Sequence, residues 1–407
     1  MAIFNPVLFI ALASMDEMEY LPQLISCIKK QTYKNFNLIV CVNQPNDWWE
    51  KEDKISICKN NQKSIKYLEG IKDLEITIID KSSKGKGWTG KKHGVGWARK
   101  TIMDKIAEIA NKNDIIISLD ADTTFNGNYF LSIVENFNRN PDATALSVPY
   151  YHRLTGDEEK DRSILRYEIY LRYYAINLWR IGSPYSFTAI GSAIALPVKS
   201  YKKIGGITPH KSGEDFYFLQ KLRKTGKVLT WNKEKVYPAA RYSDRVAFGT
   251  GPAMIKGREG DWSGYPIYPF EYFDEIKKTY DLFPVLYKED FHTPMDNFII
   301  EKFGEKNILQ PLRKNYKKKE TFIRACHYKI DGFRIFQYLK WRNMKNKGNW
   351  DSDENNLIRF FTKFYPEKLN ILPFEVSELS IASTSVENLN TVRKLLLKIE
   401  KEYQKGK

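Results

Sequence analysis

Residues 114–122 read Asp114-Ile-Ile-Ile-Ser-Leu-Asp-Ala-Asp122. The apolar run Ile115, Ile116, Ile117 and Leu119 has the pattern of a strand buried on both faces, and it stops abruptly at two carboxylates one residue apart. In open α/β sheets ligands gather at the carboxyl ends of such strands, and hard oxygen donors suit Mg2+ or Mn2+. Asp120 and Asp122 are therefore the first candidate metal ligands. The same pair, followed by Thr123 and Thr124, would also serve simply to end a strand or cap a helix.

Outward from this stretch, the preceding sequence alternates strands and helices. Val7 to Ala13 is apolar and strand-like. Asp16 to Gln31 has helical spacing with Pro22 in its first turns, and Phe36 to Val42 is a second strand. A β-α-β unit of this length requires parallel pairing with a right-handed crossover. Ile76 to Ile79 is a third strand. It leads into a loop, Lys84-Gly-Lys-Gly-Trp-Thr-Gly-Lys-Lys-His-Gly-Val-Gly96, that feeds a helix ending near Ala110. Glycines allow close backbone approach, and lysines with free N–H groups at a helix start favour a diphosphate. The loop satisfies neither the P-loop pattern nor the dinucleotide fingerprint, and a surface loop without a ligand would share its composition.

After residue 122 the sequence predicts a helix near 128–138, a strand at 143–148 and a long helix at 158–180, whose Ile164, Tyr167, Leu171, Tyr174 and Leu178 recur at core spacing. A small-residue strand, Ala189 to Pro197, follows. The stretch Ser212-Gly-Glu-Asp215 then opens a helix, with Ser212 as the expected N-cap and Glu214 and Asp215 in the first turn, where the helix dipole favours anions. Capping alone would account for these residues. It does not account for a second acidic pair about ninety residues after the first, behind a lysine-glycine loop.

In this order the elements resemble glycosyltransferases of the GT-A type, most closely family 2. The likeness covers residues 5 to about 235. It is carried by the opening β-α-β with Gln31-Thr-Tyr33, the glycine-rich loop with Ala98-Arg99, Ser118-Leu-Asp-Ala-Asp122, Gly191-Ser-Ala-Ile-Ala-Leu196, Ile204-Gly-Gly206 and Gly213-Glu-Asp215. The resemblance implies an α/β fold, Rossmann-like, with a mostly parallel sheet flanked by helices. It places a nucleotide-sugar-binding and catalytic domain at 1–240 and a mainly helical basic region at 241–407.

The implied activity is transfer of a sugar from a nucleotide-diphosphate donor to an acceptor hydroxyl, with inversion. Ala13, Asn43, Lys91, Arg99 and Asp120 would contact the donor, Asp122 and Asp120 would hold Mn2+ or Mg2+, Asp215 would be the general base and Glu214 would orient the acceptor or cap its helix. Many family members carry aspartate where this chain has Asn43. The Gln-x-x-Arg-Trp signature of processive synthases is absent, which favours transfer of single residues. Arg241-Tyr-Ser-Asp-Arg245 and Gly249-Thr-Gly251 are further candidates near the site. The competing readings are a retaining GT-A enzyme, a nucleotidyltransferase and a non-enzymatic basic binding module. Nucleotidyltransferases usually place glycine and lysine directly after the first strand, where this chain has Ser14-Met-Asp-Glu17.

The whole chain, 407 residues with a formal charge of +16, has room for two or three domains at roughly 150 residues each. Hydrophobic residues at 42% and charged residues at 28% indicate a globular protein. Arg313 to Lys347 holds twelve Lys or Arg against Glu320 and Asp331, a net of +10. The same segment carries Phe322, Tyr328, Phe333, Phe336, Tyr338 and Trp341. It reads as a solvated helical face that would also suit an anionic membrane surface or a lipid-linked acceptor, with nucleic acid not expected. Cys27, Cys41, Cys58 and Cys326 show neither C-x-x-C nor zinc spacing and read as reduced thiols. Val7 to Ala13 reads as a strand rather than a signal-peptide core, because residues 1–6 carry no Lys or Arg. No apolar run reaches 18 residues. Together these point to a cytoplasmic protein, with the inner membrane face as its place of peripheral contact.

Overall fold

The computed structural model describes residues 5–210, 213–245, 249–304, 308–346 and 352–406. The chain divides into two compact units, Met1–Lys160 with Phe187–Ile255, and Asp161–Ser186 with Lys256–Lys407.

The first unit is an α/β layer structure. Its elements run β1 (Leu8–Ser14), α1 (Leu21–Lys29), β2 (Phe36–Asn43), α2 (Ile55–Glu69), β3 (Ile76–Lys81), α3 (Val95–Ile109), β4 (Ile115–Asp120), β5 (Thr123–Phe125), α4 (Tyr129–Arg139) and β6 (Ala145–Ser147). After α5 (Glu158–Arg180) come β7 (Ile194–Pro197), α6 (Val198–Lys203), α7 (Glu214–Arg223), β8 (Val228–Leu229), β9 (Val236–Pro238) and α8 (Thr250–Arg258). The main sheet has the order β3-β2-β1-β4-β7-β6-β8, and β5 pairs with β9 in a separate ribbon. Strands β3, β2, β1 and β4 are parallel, while β7 runs antiparallel to both β4 and β6. The α/β class, the mostly parallel sheet and the helical C-terminal region are those expected from the sequence.

The centre of the sheet is apolar on both faces. Leu8, Ile10, Ala11, Leu12, Leu38, Val40, Ile116, Ile117 and Leu119 are all fully buried, as parallel strands covered by helices must be. The chain proceeds from β1 to β2 to β3 on one side and then starts β4 on the other side of β1. This reversal is the switch point at which the carboxyl ends of two neighbouring strands diverge and leave a crevice. The register pairs Ala13 with Asp120 there.

Two local departures from the sequence reading affect this crevice. Helix α1 starts at Leu21 rather than near Asp16, because Asp16 adopts a φ of 60° and residues 17–20 form a turn. Aspartate is among the few residue types that tolerate this left-handed backbone. Glu17 is thereby freed from a helical first turn. Thr123 and Thr124 do more than end a strand: they form β5, whose antiparallel register pairs Thr123 with Pro238.

In the second unit the described residues from α9 onward are helical or irregular. The elements are α9 (Phe270–Asp281), α10 (Phe283–Leu286), α11 (Asp296–Phe303), α12 (Gln310–Asn315), α13 (Lys319–Lys329), α14 (Gly332–Lys345), α15 (Asp353–Phe364) and α16 (Val386–Lys405). Residues 161–180 of α5, placed by sequence in the first domain, group with this unit. Helix α5 is surrounded on nearly all sides, and Ile164, Tyr167, Tyr173 and Leu178 are buried. Buried with them are Glu168 and Arg172. Arg172 donates to Glu168 (2.6 Å) and to Glu400, and Arg393 pairs with Glu168 at 3.2 Å. Charges this deep are tolerable only when each has its partner.

Of the seven aromatics in the basic segment, Phe322 and Tyr338 lie in the core of this unit. Exposed there are Lys314, Tyr316, Lys317, Lys318 and Lys319; Lys347 lies outside the described residues. Among the described residues no helix is long and apolar enough to cross a membrane. The four cysteines are free, three of them buried.

Candidate functional site

The carboxyl ends of β1 and β4 supply the floor of the site. Asp120 is the last residue of β4, and Asp122 follows it into the turn before β5. Because β9 runs antiparallel to β5, the chain leaving β9 travels back toward Asp122. This return brings Arg241 alongside. Its Nε lies 2.7 Å from Asp122 Oδ2, and its two terminal nitrogens donate to both oxygens of Glu17 at 3.0 and 2.7 Å. Arg245 adds a further bond to Glu17 Oε1 and one to the Met15 carbonyl, each 2.6 Å. Arg241 and Arg245 of the Arg241-Tyr-Ser-Asp-Arg245 stretch thus converge on Asp122 and on Glu17, a residue to which the sequence alone gave no role. A sequence signal for Glu17 existed only in retrospect: an acidic pair directly after the first strand.

The second acidic motif reaches the same crevice through Arg99. This residue lies in the second turn of α3 and is 4% exposed. One terminal nitrogen donates to Asp120 Oδ1 at 2.5 Å and the other to Glu214. Its Nε is buried without a partner. Two glycines make this arrangement possible. A Cβ on Gly191 would stand 2.3 Å from an Arg99 terminal nitrogen, and a Cβ on Gly96 would stand 2.3 Å from the His210 carbonyl oxygen. Without Gly191 the guanidinium could not lie where it does. Without Gly96 the segment leading to α7 could not close on the start of α3.

Helix α7 begins at Glu214, and its N-cap is Gly213 with a φ of 73°, a left-handed backbone that glycine adopts freely. The predicted cap, Ser212, lies outside the described residues. Asp215 is half-buried, and one of its oxygens accepts the Phe216 N–H at 2.7 Å. Burial raises its pKa above the usual carboxylate range and the Glu214 charge raises it further, against the opposing pull of Arg99. Asp122 is pushed up to about 7, first by burial and then by Asp120 and Glu17, while Arg241 opposes the shift. Crowded carboxylates in a low-dielectric crevice show this behaviour, and it recurs at functional sites.

The lysine-glycine loop is fastened beside the end of β2. The Trp88 N–H donates to the Gln44 carbonyl (2.9 Å), the Asn46 N–H to the Trp88 carbonyl (2.8 Å), and the Trp88 indole to Asn43 Oδ1 (3.2 Å). A Cβ on Gly87 would lie 2.7 Å from Asn46 Cα. Asn43 is buried, and its amide nitrogen donates to the Ser14 carbonyl at 3.0 Å. It therefore ties the loop to the end of β1. Lys91 is exposed, and Ala13 is half-buried opposite Asp120.

Among the described residues no three His, Cys, Asp or Glu side chains are grouped to hold a metal ion. Asp120 and Asp122 nevertheless fit Mg2+ or Mn2+ bound with a diphosphate, since such ions commonly take only one or two protein carboxylates and complete their shell with phosphate oxygens and water. Asp120 is the more accessible, its side chain 34% exposed against 13% for Asp122.

No protein-family model and no curated protein matches the sequence. Solved structures do resemble the chain. Residues 1–349 of S. aureus TarS in complex with UDP-GlcNAc align with a TM-score of 0.40 and 12% identity, covering 99% of this chain and 92% of that one. The mannosyltransferase PcManGT from Pyrobaculum calidifontis, in complex with GDP-Man and Mn2+, aligns with a TM-score of 0.35 and 12% identity, covering 98% and 87%. GalNAc-T7 with UDP, GalNAc and Mn2+ aligns with a TM-score of 0.38 and 15% identity, covering 81% and 58%. Scores of this size describe a likeness only.

Proposed function

We propose that this chain is an inverting glycosyltransferase that moves a sugar from a nucleotide-diphosphate donor to an acceptor hydroxyl. One observation carries the proposal: Arg99 joins Asp120 to Glu214, so two acidic motifs about ninety residues apart line one crevice at the switch point of the sheet. Inverting transfer needs a diphosphate site and, across the reacting carbon, a carboxylate to take the acceptor's proton.

Asp215 is that base. Its raised pKa improves its match to a proton acceptor working near neutral pH, a role typically worth about 10²–10⁴ in rate. Glu214, held by Arg99, positions α7 and with it Asp215. The lysine-glycine loop, anchored through Trp88, supplies N–H groups and the Lys91 charge to the diphosphate, and Asn43 and Ala13 border the nucleoside. Asp122 and Asp120 would hold Mn2+ or Mg2+, which when bound supplies Lewis-acid stabilisation of the leaving diphosphate. For Asp122 to take part, Arg241 must release it. The acceptor is a sugar or lipid-linked hydroxyl, and the exposed lysines 314 and 317–319 suit an anionic membrane surface.

The test is a melting-temperature panel of UDP-, GDP-, CMP- and dTDP-sugars with and without Mn2+, since a ligand that binds only the folded state raises the melting point. One nucleotide class should stabilise the protein in a Mn2+-dependent way, and Asp122→Ala should remove that dependence. A shift from none of the donors, or an undiminished shift in Asp122→Ala, overturns the reading.

A further inference from the structure

Among the described residues Phe291 and Tyr316 are the only exposed Phe, Tyr or Trp, at 54% and 39%. Single exposed apolar residues are ordinary, but these two stand at one junction of the second unit. Phe291 lies in the loop between α10 and α11, and Tyr316 follows the last turn of α12. Arg313 stitches the two segments together. Its Nε donates to the Leu286 carbonyl at 2.8 Å, and a terminal nitrogen donates to Asp290 at 2.7 Å. The Tyr287 hydroxyl donates to the Lys317 carbonyl at 2.6 Å, and the Tyr287 ring packs against buried Phe322 with centroids 5.5 Å apart. The backbone at 313–317 is thereby tied to the core of the unit, while the side chains of 316–319 remain in water.

The same junction carries unpaired lysines. Lys314, Lys317, Lys318 and Lys319 are exposed, and none of their amines has a carboxylate within ion-pair distance among the described residues. Arg313, Arg342 and Lys345 differ in this, being paired with Asp290, Glu275 and Glu301. With Lys288, Glu289, Asp290, Arg313 and Glu320 included, the junction keeps a net charge of +3. A solvated face accounts for the lysines but not for two aromatic rings left in water among them. A lipid surface accounts for both, since anionic headgroups attract the amines and aromatic rings settle at the interface with the hydrocarbon. Four lysines suit a diffuse layer of headgroup charge. Recognition of nucleic-acid bases and phosphates would instead favour the planar fork of arginine.

We infer that this junction docks on an anionic lipid bilayer, with the four lysines over the headgroups and Phe291 and Tyr316 seated among them. The aromatic pair adds an apolar anchor to the charge. The inference rests on the second unit alone and stands whether or not the first unit transfers a sugar. Binding of this kind is reversible, because no segment is inserted across the hydrocarbon.

Co-sedimentation of the full chain with vesicles of mixed phosphatidylglycerol and phosphatidylcholine, and with vesicles of phosphatidylcholine alone, tests it. Binding to the anionic vesicles only is expected, and it should weaken as salt rises. A lysine at such a surface contributes about fivefold, so Lys314→Gln, Lys317→Gln, Lys318→Gln and Lys319→Gln together should lower binding by roughly a hundredfold or more. A control that changes exposed Lys59, Lys63, Lys66 and Lys394 to Gln removes the same charge from other surfaces and should keep most of the binding. Phe291→Ser with Tyr316→Ser should lower binding on the order of tenfold without changing the net charge. Absence of binding to the anionic vesicles, equal binding to the neutral ones, an equal loss in the control or no loss in the aromatic variant overturns the inference. So does lysine-dependent binding of a single-stranded oligonucleotide with none to vesicles, which would give the junction to nucleic acid.

Discussion

Arg241 Nε lies 2.7 Å from Asp122 Oδ2, so a carboxylate proposed to hold a metal is held by an arginine whose remaining nitrogens grip Glu17. Under the proposed function, arginine and metal compete for one group. In Arg241→Met, Asp122 loses its cation and Glu17 keeps only Arg245. Stability without metal should fall by on the order of 3 kcal/mol, the loss typical of breaking a buried pair. Mn2+ should then bind roughly tenfold more tightly, a difference of about 1.4 kcal/mol. It should also restore part of the lost melting temperature. Calorimetric titration with Mn2+ in the absence of donor checks this, and unchanged affinity would separate Arg241 from the metal site.

The raised pKa of Asp215 has opposite consequences for activity and stability. As the proposed base, Asp215 must be deprotonated, so kcat/KM should fall on the acid side beginning near neutrality, not near pH 4. For stability, a carboxyl whose folded pKa lies above its unfolded value favours the folded state at low pH, and that contribution is lost as pH rises through the folded pKa. Asp215→Asn should therefore lower transfer by about 10²–10⁴ with donor binding nearly intact. It should also melt higher than wild type at pH 8, and the advantage should shrink toward pH 4. A pH-independent kcat/KM between pH 5.5 and 8 would remove Asp215 from the mechanism.

Gly191 makes room for Arg99. In Gly191→Ala the new methyl meets the guanidinium, whose atoms lie 2.3 to 2.6 Å from the ideal Cβ position. Overpacking of this kind costs about 1–3 kcal/mol. Displacing the residue that connects Asp120 with Glu214 should lower kcat/KM by roughly 10², as a misplacement of about 1 Å can. Melting curves and steady-state kinetics read both effects. Full activity in a correctly folded variant would show that the bridge is dispensable.

Trp88 fastens the lysine-glycine loop to Asn43. Trp88→Phe keeps the ring but deletes the indole donor, a bond worth about 1 kcal/mol net. If the loop serves donor binding, the donor KM should rise several-fold with kcat nearly unchanged, the pattern of lost uniform binding. A drop in kcat at constant KM would instead place the loop in the chemical step.

Much of the first unit was legible in the sequence because its signals are local. The runs Leu8–Leu12, Leu38–Val42 and Ile115–Leu119 are apolar but for Ser118, and the chain must bury them. The boundaries that failed are also local in cause. Helix α1 starts late because Asp16 turns left-handed, and β5 is too short to show a period. The basic segment was only half legible. Its aromatics read alike, yet Phe322 and Tyr338 are buried while Tyr316 is exposed, a distinction set by which helices pack on which.

By itself the sequence determined the α/β alternation, the order of the motifs and the presence of two acidic pairs behind a lysine-glycine loop. Hydrophobic periodicity and residue chemistry are properties of contiguous residues. Only the tertiary structure decided which distant charges meet: Arg99 with Asp120 and Glu214, Arg241 with Asp122 and Glu17, and in the second unit Arg393 with Glu168. Those pairings span up to 225 residues. In the first unit they follow from strand register and from glycines that admit a guanidinium or a backbone where a Cβ would not fit, and such relationships exist only once the chain has folded.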